Sequence, residues 1–189
     1  QVDAAGVAHL AWVDSEARAW HTILSAEGAP GSPTLLASDL GTAETEVIAI
    51  LPLVALRNEG VVAIWRRADG RLIERRWASG SWSPAEVAVD ARVAAGKVDS
   101  DQTTADVVAL GNVLHLLYVD AEDSALYHTS RGAYGDWATA RPLLEDIVGQ
   151  WIRGAVVRGA QGEDVYGWVL DAGSDGGSGF NQYGVLPPN

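Results

Sequence analysis

The residues of this 189-residue chain best placed to do chemistry are aromatics in turns, four histidines and one acidic, glycine-rich loop. Trp82 stands in Gly80-Ser81-Trp82-Ser83-Pro84, with Trp77 five residues ahead, and Tyr134 and Trp137 stand in a second turn that begins at Ser130. A turn holds an aromatic rigidly near the surface, where its flat apolar face can stack on a sugar ring. The same residues have a second reading, as packing beneath their own turns. The histidines form two matched pairs, His9 with His115 and His21 with His128. Matched spacing points to duplication, so each is expected to make a polar contact to a turn, and no metal site is expected. In Asp171-Ala172-Gly173-Ser174-Asp175-Gly176-Gly177-Ser178-Gly179 the aspartates are four apart, whereas calcium loops place carboxylates at alternate positions. Phe180 follows the glycines where a phosphate cradle needs Lys or Thr. The loop reads as a connector; calcium is the one cofactor weighed, and none is expected.

Composition narrows the partners. Twenty-five acidic against 13 basic side chains give a net charge of −12, which repels nucleic acid and anionic membrane surfaces. With 48% hydrophobic residues the chain can bury a core, and without Cys it has neither disulfides nor thiolate chemistry. No apolar run reaches the ~20 residues of a membrane helix, so no membrane insertion is expected. The chain opens on Gln1-Val2-Asp3 instead of Met and carries 12 Arg to one Lys. The first feature suits a processed, excised or partial chain and the second a bacterial source, and an exported or cell-surface protein is expected.

The elements that must hold these residues repeat. His9-Leu10-Ala11-Trp12-Val13-Asp14 is echoed by His115-Leu116-Leu117-Tyr118-Val119-Asp120, and Trp20-His21-Thr22 by Tyr127-His128-Thr129. Trp65 lies 53 residues after Trp12 and 53 before Tyr118, and Trp168 a further 50 along. Repetition at such a period marks stacked units that cannot bury their faces alone. Within each unit, apolar runs of 5–9 residues end at Gly, Asn, Asp or Ser, the pattern of strands and hairpins. In the second unit the expected strands are 46–57, 61–67, 71–78 and 86–89, with a short helical turn near 91–95. In the third they are 105–110, 113–120, 125–131 and 139–144. The last unit offers 150–158, 164–171 and 180–186.

Four-stranded antiparallel units at a ~50-residue period predict an all-β β-propeller. Four blade repeats are visible, at about 1–40, 41–92, 93–147 and 148–189, in one domain or part of one. The repeated aromatics Trp12, Trp65, Tyr118 and Trp168 are expected to fill the layers between blades.

Ser130 and Trp137 stand in place for the Ser-x-Asp-x-Gly-x-Thr-Trp pattern of an Asp-box, while Gly132, Tyr134 and Asp136 depart from it. The chain thereby resembles sialidase-like propellers, and the repeat shape also resembles tandem-repeat propeller lectins. The sialidase resemblance implies an arginine cluster for a substrate carboxylate, a Tyr nucleophile activated by Glu, and an acidic Asp. Arg57, Arg153, Arg158, Asp101 and Asp106 are the channel-mouth candidates. Arg153 and Arg158, five apart, fall on opposite faces of a regular strand, and no Tyr–Glu pair follows from spacing. The lectin resemblance implies glycan binding at Trp82, Trp137, Trp77 or Tyr134. The expected role is non-catalytic binding or assembly, with a glycan or protein partner. A sialidase-like glycosidase and a structural subunit are the alternatives. The first unit begins at its second strand and the last ends at its third, so a second chain or a missing segment is expected to complete the ring.

Overall fold

The computed structural model describes residues 1–40, 53–56, 60–94 and 104–145 with their side chains. It also describes the backbone of five strands at 46–47, 96–97, 151–158, 164–171 and 181–186. Among the described residues there are 17 strands and no helix. The first sheet is a meander of β1 (Ala8–Val13), β2 (Ala19–Leu24) and β3 (Thr34–Ala37). A short β4 (Glu46–Val47) precedes the second sheet. That sheet runs β5 (Val54–Leu56), β6 (Gly60–Arg66) and β7 (Leu72–Ala78), with both β8 (Ser81–Trp82) and β9 (Glu86–Val89) paired to β7. β10 (Gly96–Lys97) pairs with β4. The third sheet is β11 (Ala105–Leu110), β12 (Val113–Val119), β13 (Leu126–Gly132) and β14 (Arg141–Leu144). The fourth is β15 (Trp151–Arg158), β16 (Asp164–Asp171) and β17 (Asn181–Leu186), with β15 lying beside β11 and β12. Every ladder is antiparallel.

Two expectations are corrected. Within the single strand read over 46–57, the two described pieces lie in different sheets, β4 pairing with β10 and β5 with β6, while 48–52 and 57 fall outside the described residues. The helical turn read near 91–95 is absent from 91–94. There Val93 bridges to Asp120, and the Ala94 amide donates to the Val119 carbonyl. Small alanines permit a helix, but backbone partners on the neighbouring sheet hold this stretch extended.

The hairpins of the first three units share one backbone conformation. Ala17, Gly70 and Ser124 take the same place in the first three units, with φ of 57°, 90° and 57°. Only glycine enters this left-handed region freely, so the other two hairpins need help. Asp14 supplies it by accepting from the amides of Glu16 and Arg18, and Asp120 by accepting from that of Glu122.

Two apolar seams hold the first three sheets together. Ala11, Val13, Ala19 and Leu36 of the first sheet pack against Val61, Ala63 and Trp65 of the second. On its other face the second sheet sets Val62, Ile64 and Leu72 against Leu114, Leu116 and Tyr118 of the third. Both faces of β6 are therefore covered, which is why it reads as an unbroken apolar run. Trp65 is 1% exposed, and burying a side chain of its class contributes roughly 1.5–3 kcal/mol. Among the described residues no ring of sheets closes.

Candidate functional site

One position on the third strand of each unit governs the seam chemistry. β1 pairs Trp12 with Trp20, β6 pairs Trp65 with Ile73, and β12 pairs Tyr118 with Tyr127. The next residue along is His21, Glu74 or His128, and each is buried. Across the first seam the Trp82 indole Nε1–H donates to His21 Nδ1 at 3.1 Å. Across the second, the Trp137 Nε1–H donates to Glu74 Oε2 at 3.3 Å. The turn tryptophan of one unit therefore serves the polar residue of the unit before it.

In the first seam this contact fixes a chain of tautomers. An indole only donates, so His21 Nδ1 accepts and its single proton sits on Nε2. That proton faces His9 Nδ1 at 2.9 Å, leaving His9 Nε2 to donate to Asp3 Oδ2 at 3.3 Å. Trp77 and Trp82 pack edgewise around the two imidazoles. Burial, reinforced by the neighbouring His9, pushes His21 down to about 4. Burial, then His115 and Arg141, pushes His128 down to about 4. His115 and His128 stack at 5.7 Å. His9 and His21, and likewise His115 and His128, face each other across a hairpin inside the fold, while His9 makes the expected polar contact to a turn through Asp3 and His21 through Trp82.

The second seam is charged and open at one end. Glu74, 4% exposed, accepts from Arg131 at 3.0 Å and from Arg76 at 3.1 Å. The Arg76 guanidinium also crosses to the Ala133 carbonyl at 2.9 Å, and that of Arg131 lies 5.1 Å from the Trp137 ring centre. Beside them opens a cleft of about 440 Å³ lined by Glu74, Arg76, Glu86, Asp90, Asp136 and Trp137, among others. Tyr134 stands out from the same loop, 82% exposed.

The candidate platforms thus separate. Trp82 is buried and Trp77 half-buried in the first seam, so of the two readings given for Trp82 the packed one describes it, with its indole directed at His21 of the first sheet. Trp137 is half-buried on the cleft, with Tyr134 three residues away. Of the channel-mouth residues, Asp106 is buried on β11, where its carboxylate accepts from the Val107 amide. Arg153 and Arg158 lie in register with Val169 and Asp164. Arg57, Asp101 and the loop 172–179 fall outside the described residues. Among the described residues no cluster of three or more His, Asp or Glu could hold a metal ion. Glu74, Arg76 and Arg131 were not singled out by sequence. The sign available was a lone Glu where two other units carry His.

Comparison with solved structures follows this geometry. AofleA from Arthrobotrys oligospora matches with a TM-score of 0.60 at 9% identity, over 98% of this chain and 55% of its own. A variant of Aleuria aurantia lectin in complex with Fucα1-6GlcNAc matches at 0.46 and 12% identity, over 100% of this chain and 63% of its own. An endo-arabinase from Bacteroides thetaiotaomicron matches at 0.46 and 14% identity, over 97% and 72%. No protein-family model and no curated protein matches this chain. The chain spans about half the length of AofleA, with which it shares an all-β fold of antiparallel sheets.

Proposed function

We propose that this chain is a β-propeller module, or part of one, that binds neutral glycans in the cleft between its second and third blades. Stacked antiparallel sheets at a ~50-residue period, each seam burying faces that no sheet could cover alone, support the architecture.

The observation that carries the ligand class is the makeup of the cleft. Sugar hydroxyls both donate and accept, so they suit a site that offers carboxylates and guanidinium groups side by side. Glu86 and Asp136 accept, Arg76 donates, and Trp137 supplies aromatic surface for a sugar's C–H face, with the exposed Tyr134 on the same loop, while Glu74 lies behind them with its oxygens held by Arg76, Arg131 and the Trp137 indole. Four acidic residues, with Asp90 the fourth, outnumber Arg71 and Arg76 along the lining. That balance opposes sialic and uronic acids and favours uncharged sugars.

A glycan array carrying neutral and acidic sugars tests the reading, with α-L-fucosides among the probes. Neutral glycans are expected to bind, and Tyr134→Ala to weaken them about 5-fold, the worth of one lost aromatic contact. Binding confined to acidic glycans, or none on the array, overturns it.

A further inference from the structure

The first sheet shows solvent a row of side chains that the second and third sheets bury. Leu10 and Trp12 of β1 hold the register positions of Ala63 and Trp65 in β6 and of Leu116 and Tyr118 in β12. Ala63 and Trp65 pack on the sheet before them, as do Leu116 and Tyr118, and all four are 3% exposed or less. Leu10 is 46% exposed and Trp12 partly so. The row is a seam face of the same design as the two already filled.

We propose that a second copy of this chain covers the face, laying one of its own sheets against Leu10 and Trp12 as the first sheet lies against Ala63 and Trp65. What covers each equivalent row in this chain is another sheet of this chain, so the complementary surface is already encoded in it. The fourth sheet lies beyond the third, with β15 beside β11 and β12, so the sheets run in chain order and the first stands at one end of the stack. The contact is head-to-tail, the class of interface that closes into a ring when the rotation fits. Each copy carries a charge of −12, so the contact is apolar at its centre and strengthens as salt screens the repulsion.

The inference rests on the propeller architecture and is independent of glycan binding. Native mass spectrometry and light scattering test it on the chain as it stands. The expected mass is twice the 19.9 kDa of one chain. Leu10→Arg, at a position exposed within one copy, is expected to reduce it to a single chain with an unchanged circular dichroism spectrum. Val87→Arg, on an outer strand where the side chain is 49% exposed, is the control and leaves the doubled mass intact. A single-chain mass before substitution overturns the proposal, as does a doubled mass that survives Leu10→Arg. A monomer that still binds on the array leaves the glycan reading standing.

Discussion

Trp82 and His21 meet across the first seam, 61 residues apart in the chain, through an indole N–H directed at an imidazole nitrogen 3.1 Å away. The bond joins two sheets, so it reports on their docking and not on either hairpin alone.

Trp82→Phe keeps an aromatic ring and deletes that donor. His21 Nδ1 is then a buried acceptor without its partner, at a cost of about 1–3 kcal/mol. The urea midpoint and Tm are both expected to fall, with the far-UV spectrum unchanged. A loss below about 0.5 kcal/mol would show that the seam relies on packing alone.

The second seam carries a larger penalty. Glu74→Gln leaves the fully buried Arg131 guanidinium without its carboxylate, and breaking such a pair costs about 3–5 kcal/mol. Arg131→Met combined with Glu74→Gln is expected to cost less than the two single changes together, because no fully buried charge is left uncompensated and the partly exposed Arg76 keeps its bond to the Ala133 carbonyl. Urea unfolding of the four proteins measures the difference, and strict additivity would contradict the pairing.

Acid weakens the fold through the imidazoles. His21 and His128 are held near 4 in the folded chain, against about 6.5 when unfolded. Between those values the unfolded chain binds the protons and the folded chain does not. Stability is therefore full above about pH 6.5, is lost as the pH falls toward 4, and changes no further through these groups below that. Each imidazole accounts for about 3 kcal/mol across the window. Urea midpoints at about pH 7 and about pH 5 measure the slope, and His21→Gln, which cannot titrate there, reduces it by roughly half, the part due to His128 remaining. An unaltered slope in that variant would refute the assignment.

Two glycines of like conformation are expected to differ. Gly60 and Gly28 have φ of 90° and 81°, but a Cβ at Gly60 meets the Trp77 carbonyl oxygen at 1.9 Å and one at Gly28 meets nothing. Gly28→Ala costs about 1 kcal/mol of left-handed strain. Gly60→Ala costs this and a displaced strand as well, so thermal melts of the two variants separate clearly.

Much of this architecture was legible in the chain. The turn signals gave the β6–β7 and β11–β12 hairpins, and the 53-residue spacing put Trp12, Trp65 and Tyr118 at one equivalent position, where each stands opposite the matching third-strand residue of its own unit. The cleft was not legible, because Glu74 meets Arg131 and Trp137 across 57 and 63 residues, with no local pattern linking them. Packing of Trp82 was one of its two readings, but its partner was out of reach for the same reason: the turn belongs to its own sheet, while the acceptor His21 belongs to the preceding one. The histidine pairing was within reach. Trp12 opposite Trp20 places His21 opposite Ala11, two residues from His9 on the same face.

The identity of one third-strand residue works as an address for the sheet that follows. Stacking the third sheet directly on the first would set Arg131 against a neutral imidazole that offers one acceptor nitrogen and no negative charge, and a buried guanidinium without an anion is costly. Swapping sheets within this stack is therefore penalised even though their strands superimpose in register, and the linear order of the repeats is written into their seams.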